Sequence, residues 1–431
     1  MIVQTYLTGS TSVNIAASAE KAIAEGRIAP GALLPPVRGL ASQLRVSPAT
    51  VAAAYRLLQE RGIVFADRRR GTRVNPAPPL ALPSPVPLPK GVRDLATGNP
   101  DIALLPRLPR IEPRQRVYDE DLNDPRLVRL AREQFARDGV DAENVAVVSG
   151  ALDGVERVLR EHLRPGDRVA VEDPAFTGIL DLLASLALVA LPVAIDDEGL
   201  LPDELERVLR TCSALIVTPR AQNPTGAAFT PSRARALRRV LAKHPEVLVI
   251  EDDHAGAVAG VPYVSLVSRS TERWAVVRSV SKSLGPDLRV ALLASDPHTH
   301  ARVEGRQSLG IRWVSHVLQD LVVALWRDKA PALAGKIYTD RREALLTALS
   351  DRGIDAHGIS GLNVWIPVAE EAATVQALMQ KGWAVKAGER YRIASPPAIR
   401  VTIASLEACD ADLFADDLCA VIRPSRRGSG V

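Results

Sequence analysis

Residues 76–91 hold seven prolines in sixteen positions and no charged side chain before Lys90. Proline lacks an amide hydrogen and fixes φ near −65°, so such a run can join neither a helix nor the middle of a sheet. It tends instead to polyproline II, at about 3.1 Å per residue, and spans roughly 50 Å as a semi-rigid spacer. A proline-rich ligand for a partner domain is the alternative reading, but a tether between two folded units is the commoner use of such a stretch. With 431 residues in all, the chain exceeds one compact core in any case. The expected organisation is a unit over 1–75, a linker over 76–91 and a larger unit over 92–431.

The two sides differ in charge. Residues 1–75 carry ten Lys and Arg against four Asp and Glu, so a total of +4 leaves −2 for the rest. A small basic unit tied to a slightly acidic large one implies that only the first meets a polyanion. The most apolar run, 179–195, contains Asp181 and Ser185 and falls short of a membrane span. The N-terminus does not open with a basic stretch followed by unbroken apolar residues, so no secretory leader is expected. Cys212, Cys409 and Cys419 are odd in number and widely spaced, which suits packing and a reducing cytoplasm rather than disulfides or a metal site.

In the first unit Val13, Ala16, Ala17, Ala19, Ala22 and Ile23 form a helical stripe that Gly26 ends. A second helix is expected over 37–44, burying Leu40, Ala41 and Leu44. A third starts with Ser47 as N-cap and Pro48 in the first turn and stops near Gly62. The pair makes a helix-turn-helix, whose second helix meets the DNA major groove by its N-terminal end. Residues 63–65 and 72–74 read as a hairpin with Arg68, Arg69 and Arg70 at its tip. Three arginines there are either a solvated charge run or a phosphate contact, and the capped helix pair favours the phosphate. Ala29-Pro30-Gly31, Leu34-Pro35, Arg38, Leu40-Ala41, Val46-Ser47, Thr50-Val51, Ala54-Tyr55, Gly62, Arg70-Gly71-Thr72 and Val74 resemble the winged helix of the GntR family of bacterial regulators. The resemblance implies DNA contacts from Arg38, Ser47, Thr50, Arg70, Gly71 and Thr72. Pro36 stands where that family usually has serine, which weakens the cap of the second helix.

Beyond residue 92 short apolar strands alternate with helical stretches, an α/β pattern. Residues 145–148 run into Ser149, Gly150 and Ala151 and then a helix with Leu152, Val155, Val158 and Leu159 inward. A glycine at a strand-to-helix junction lets backbone N–H groups meet an anion, although one such glycine is also ordinary packing. Residues 169–171, 215–218 and 247–250 lead into the polar clusters 172–176, 219–226 and 251–254, the strand ends at which open α/β sheets place ligands. Residues 278–289 bring Lys282 among Ser279, Ser281 and Ser283, with Arg289 before the next apolar run. A lysine amine can form a Schiff base with an aldehyde, and hydroxyls with a guanidinium suit a phosphate dianion. Pyridoxal phosphate (PLP) needs these groups together with a carboxylate at its ring nitrogen. Asp252, thirty residues before Lys282, fits that place; Asn223 can donate to the phenolic oxygen and Phe176 can stack on the ring.

Asn223-Pro224-Thr225-Gly226, the Asp252 cluster, Ser279, Ser281, Lys282, Arg289 and Ile399-Arg400-Val401 resemble, in the same order, class I/II aminotransferases of fold type I. The resemblance implies an aldimine on Lys282, a ring-nitrogen contact from Asp252, and a phenolic-oxygen contact from Asn223. It also implies a phosphate site from Gly150, Ala151, Ser279, Ser281 and Arg289, and a carboxylate site at Arg400. His254 stands where the family usually has tyrosine, and its charge is expected to change near neutral pH. The C-terminal part, 331–431, reads as a smaller α+β subdomain beside a larger part over 92–330, with residues 361–366 and 399–403 as sheet neighbours. Arg400 is then either a carboxylate anchor or an edge-strand charge. Trp365 is expected in the core, and His298 and His300 at the surface.

A winged helix-turn-helix joined to an aminotransferase-like domain resembles the MocR subgroup of the GntR family. That implies a cytoplasmic homodimer, with a head-to-tail arrangement among those the subgroup allows, which binds DNA and senses PLP, an amine or an amino acid. The rival is a working aminotransferase with a DNA-binding appendage.

Overall fold

The computed structural model describes residues 6–25, 27–29, 31–60, 63–67, 71–74, 88–112, 114–118 and 120–422. The expected wing tip, Arg68, Arg69 and Arg70, and most of the proline-rich stretch lie outside the described residues, as do Gly26 and Gly62. Two compact units divide the chain: Met1–Ser84 with His162–Val169 and Gly178–Ala190, and Pro85–Glu161 with Ala170–Thr177 and Leu191–Val431.

The amino-terminal fold has three helices, α1 (Ser12–Ala24), α2 (Val37–Leu44) and α3 (Pro48–Glu60), and a hairpin of β1 (Val64–Asp67) and β2 (Gly71–Val74). Thr11 caps α1 by accepting from the Asn14 amide. Pro36 gives α2 no side-chain cap, as its chemistry requires, and α2 ends on Arg45 in the left-handed region. The Ser47 hydroxyl accepts the Thr50 amide at 3.1 Å, which makes it the expected cap of α3. Ile15, Ala19, Leu40, Ala54, Leu58 and Val64 form one core. Leu44 is only half-buried, at the rim of that core. Tyr55 is buried with it and donates its hydroxyl to the Pro35 carbonyl at 2.8 Å.

The remaining strands are β3 (Arg93–Asp94), β4 (Val145–Val148), β5 (Arg168–Asp173), β6 (Val189–Asp196), β7 (Gly199–Leu200), β8 (Ala214–Val217), β9 (Leu248–Asp253), β10 (Trp274–Ser279), β11 (Ala291–Ser295), β12 (Asn363–Pro367), β13 (Trp383–Ala384), β14 (Lys386–Ala387) and β15 (Ala398–Thr402). Among them run α4 (Pro125–Arg137), α5 (Ala151–His162), α6 (Thr177–Ser185), α7 (Pro202–Leu209), α8 (Pro231–Leu241), α9 (Pro297–Ser308), α10 (His316–Leu325), α11 (Ala330–Ser350), α12 (Glu371–Gln380) and α13 (Ala411–Ile422).

An eight-stranded sheet has the order β4-β11-β10-β9-β8-β5-β6-β7. Strands β8, β9 and β10 are parallel, and β11 is antiparallel to both β10 and β4. Every residue of β8, β9, β10 and β11 is buried, as in sheets covered on both faces. Glu251, Asp252 and Asp253 are the last three residues of β9 rather than a cluster beyond it. A second sheet, β12-β15-β14, packs in a separate core with α11, α12 and α13.

Several expectations need correction. Arg400 lies on β15, the middle strand of its sheet, so it is no edge charge. Strand β3 pairs with β13 in a two-stranded sheet of its own, which ties residues 93–94 to the C-terminal part rather than to the eight-stranded sheet. Leu152 is half-buried, and Gly154 takes the inward place on α5. His300 is half-buried and faces Glu304 at 3.2 Å, and Cys409 is exposed rather than packed. Among the described residues no helix is long and apolar enough to cross a membrane.

Candidate functional site

Sheet register gathers one end of the site. Ser279 on β10 stands opposite Ala291 on β11, and Ala291 opposite Val148 on β4. The residues that follow or precede those positions, Ser281, Arg289 and Gly150, therefore share one end of three adjacent strands. Ser279 and Ser281 hydroxyls are 2.8 Å apart, and the Ser281 amide donates to Ser279 Oγ at 3.1 Å. Arg289 donates from Nη2 to the Ser149 carbonyl at 3.1 Å. Gly150 has φ +107°, and a Cβ there would fall 2.7 Å from Arg289 Nη2. Only glycine lets the guanidinium lie over this junction, where α5 begins at Ala151 and presents unpaired amides. Two hydroxyls, one guanidinium and a helix start make a phosphate cup.

Lys282 follows β10 in a helical turn, and its Nζ donates to the Gly98 carbonyl at 2.6 Å. Burial, and then the Arg400 charge, push its amine down to about 8. Asp252 is 4% exposed, and its Oδ1 is buried with no hydrogen-bond partner among the described residues. Burial, and then the Asp253 charge, push that carboxyl up to about 7. A buried acceptor without a donor is costly, and a protonated pyridine nitrogen is the donor that satisfies it. Together with the cradle at Gly150, this orphaned oxygen shows that the residues present fit PLP.

Asp253 points away from Asp252, as alternate strand residues must. Arg220 holds it from Nε and Nη2, both at 2.9 Å, and Arg278 from Nε at 2.6 Å. Those two guanidiniums keep Asp253 well below the usual carboxylate range although it is fully buried. The Arg278 guanidinium also lies over the rings of Phe135 and Tyr263, at 4.7 and 4.8 Å. The charge behind Asp252 is thus fixed.

Asn223 Oδ1 accepts from Arg400 Nη1 at 3.2 Å. Arg400 is 4% exposed; its Nη2 donates to the Ala96 carbonyl, and its Nε is buried without a partner among the described residues. The Tyr391 ring lies 5.2 Å beneath its guanidinium. Gln222 holds the Asn223 turn: its Nε2 donates to Glu172 at 3.2 Å and to the Pro174 carbonyl at 2.8 Å, and its Oε1 accepts from Thr225. Phe176 is half-buried directly before α6. Trp365 is buried, as expected, with its ring edge-on to Tyr391.

His254 directly follows β9. Burial, and then the Lys282 ammonium, push its imidazole down to about 4, so it stays neutral through the physiological range. The expected charge change near neutral pH is overturned, because the surroundings penalise the cation more than the neighbouring Asp253 supports it.

On the amino-terminal fold, Arg38 is exposed on α2, and Ser47 and Thr50 begin α3 with hydroxyls 2.8 Å apart. Gly71 is exposed at the start of β2, and Thr72 is half-buried beside it. Sequence reasoning missed Ala96, Gly98, Gln222 and Tyr391. None carries a motif signal, since each acts by a contact distant in sequence.

A winged helix-turn-helix on the same chain as an α/β fold with a lysine, a buried aspartate and a phosphate cup defines a DNA-binding protein built on a PLP-dependent scaffold. Residues 11–74 match the model for bacterial regulatory proteins of the gntR family, and residues 128–418 match that for aminotransferase class I and II. The vitamin B6 salvage pathway transcriptional repressor PtsJ of Salmonella typhimurium is 38% identical over 431 residues, 96% of this chain and 98% of its own. The pyridoxine biosynthesis transcriptional regulator PdxR of Corynebacterium glutamicum is 29% identical over 299 residues, 65% of each chain. Among solved structures, an archaeal alanine:glyoxylate aminotransferase superposes with TM-score 0.69 at 20% identity, covering 78% of this chain and 91% of its own. The α-aminoadipate aminotransferase LysN of Thermus thermophilus superposes with TM-score 0.67 at 20% identity over 78% and 92%. These two likenesses show fold type I. The chain belongs to the MocR subgroup of the GntR family, transcriptional regulators that join a winged helix-turn-helix to a PLP-binding aminotransferase domain.

Proposed function

We propose that this regulator acts in the cytoplasm as a homodimer and controls genes of vitamin B6 supply, with PLP, or an amine or amino acid joined to it, as the effector. The observation that carries this is the likeness to the vitamin B6 salvage repressor along nearly the whole of both chains. In this reading Lys282 is the attachment point, Asp252 Oδ1 accepts the ring N–H, and Asn223 and His254 face the phenolic oxygen. Phe176 covers the ring, and Gly150, Ala151, Ser279, Ser281 and Arg289 hold the phosphate. When bound, PLP supplies a carbonyl carbon that primary amines attack and a ring that withdraws electrons.

The chain's own residues do the rest. Lys282 must release the Gly98 carbonyl and give up a proton, which an amine near 8 does at modest cost. Arg400 keeps a second N–H on each Nη, beside those given to Ala96 and Asn223, with which to meet a carboxylate. Neutral His254 can donate one hydrogen bond without adding charge. Any ligand that pulls residues 96–98 off these two side chains favours one arrangement of the chain, and DNA affinity changes by its differential contacts. Arg38, Ser47, Thr50, Gly71 and Thr72, with Arg68, Arg69 and Arg70, make the DNA contacts.

The test is fluorescence anisotropy of the full-length chain on DNA fragments selected by it from a genomic library. PLP is expected to change the DNA dissociation constant by about fivefold or more, and Lys282→Ala to remove the change. A wild-type affinity that responds neither to PLP nor to any amino acid would sink the proposal. The pairing of Arg400 with Asn223 beside Lys282 also suits an aminotransferase. Repeated turnover of amino acids with no effect on DNA binding would select that second reading.

A further inference from the structure

Arg400 can anchor a carboxylate only if its guanidinium stays fixed between Asn223 and the Tyr391 ring. Tyr391 is not on a strand; it ends the 3-10 turn Glu389–Tyr391, and the loop 392–397 leads from it into β15. That loop is held from outside its own sheet by Asp173, the last residue of β5. Asp173 is 6% exposed and accepts four hydrogen bonds, from the amides of Ile393, Ala394 and Ser395 at 2.9, 2.7 and 2.9 Å and from Ser395 Oγ at 3.0 Å. Two fall on each oxygen, which fills the carboxylate's acceptor sites. Two residues on, the Ala175 amide donates to the Tyr391 carbonyl at 2.8 Å. Both ends of the loop are also held by Glu371, which accepts from Arg392 Nε at 2.8 Å and from the Ala398 amide at 2.9 Å.

The turn 173–176 therefore carries Phe176 at one end and clamps the Tyr391 loop at the other. We propose that Asp173 is a positioning residue: through the 393–395 amides it sets Tyr391 beneath Arg400 and so fixes the carboxylate end of the ligand site relative to the ring end. The inference rests on Arg400 as the carboxylate anchor. Without the Asp173 carboxylate three consecutive amides lose their acceptor, and the loop must move to regain partners from water. The Tyr391 plate moves with it, while the phosphate cup and Asp252 stay in place.

Two probes separate the ends of the site: phosphopyridoxyl-L-alanine, and phosphopyridoxyl-ethylamine, which differs by lacking the carboxylate. Their dissociation constants are measured on the full-length chain stripped of PLP. In the wild type the alanine conjugate is expected to bind about tenfold or more tighter, the size of a charge-assisted contact. Asp173→Ala is expected to bring that ratio to about one and to leave the ethylamine conjugate's affinity unchanged. Equal weakening of both probes makes Asp173 merely structural and overturns the proposal. A wild-type ratio near one instead removes Arg400 as the anchor, and the proposal with it. If Asp173→Ala does not fold, Tyr391→Leu is expected to abolish the ratio and Tyr391→Phe to keep it. A full ratio in Tyr391→Leu overturns the proposal.

Discussion

Asp252 carries its carboxyl at about 7, so between the ordinary carboxylate range and neutrality the folded chain holds a proton that the unfolded chain has lost. Folding is then favoured by acid, and the stability of the PLP-free chain falls as pH rises from about 4 to about 7. Glu172, pushed up to about 7 by burial, adds to the same slope. Asp252→Asn removes one of these titrations. Its midpoint of thermal unfolding without PLP is expected to lie above wild type at pH 8 and to coincide with it at pH 4, as followed by circular dichroism. A wild-type midpoint that stays the higher at pH 8 would refute the raised carboxyl. Residue identity was legible here but residue state was not. Its strand-end place and the resemblance to the aminotransferase motif order point to Asp252, whereas its missing donor, like the neutrality of His254, depends on burial that no local pattern records.

Elements were easier to read where a backbone rule forces them. The start of α3 follows from Ser47 and Pro48, and it stands where expected. Removing the α3 cap in Ser47→Ala is expected to cost about 0.5–2 kcal/mol of stability in that fold and to weaken DNA binding; chemical denaturation and anisotropy would measure both. Neutralising Arg68, Arg69 and Arg70 together is expected to flatten the salt dependence of DNA affinity, and an unchanged slope would take the wing out of the interface. At the β4 to α5 junction, Gly150→Ala combines a positive φ with a Cβ at 2.7 Å from Arg289. The guanidinium must leave, and PLP affinity is expected to fall about tenfold or more, as read from the cofactor's absorbance on titration. What the pattern hid were contacts of long sequence separation. Ala96 and Gly98 lie about three hundred and two hundred residues from the side chains they meet, and nothing in their own neighbourhood marks them.

For the whole molecule, the proposed dimer needs a surface. Val117, Tyr118, Leu309 and Ile311 are 61%, 71%, 81% and 55% exposed. Tyr118 lies against Trp313 at 5.7 Å, and Arg312 reaches over both rings. Exposed apolar groups of this size, close together, are characteristic of protein contacts. Leu309→Asp with Ile311→Asp is expected to convert a dimer into a monomer in sedimentation velocity, and a wild-type chain that already sediments as a monomer would dismiss the dimer.

The short pairing of β3 with β13 has a mechanical meaning as well. The chain at 93–95 is stitched to the strand after α12, the Arg93 amide to the Gly382 carbonyl and the Leu95 amide to the Ala384 carbonyl, each at 2.9 Å. Parallel strands loaded along their length share the force among their rungs rather than peeling one at a time. A load along β3 would therefore be borne as shear by these rungs, and the next residues along, Ala96 and Gly98, are those that touch Arg400 and Lys282.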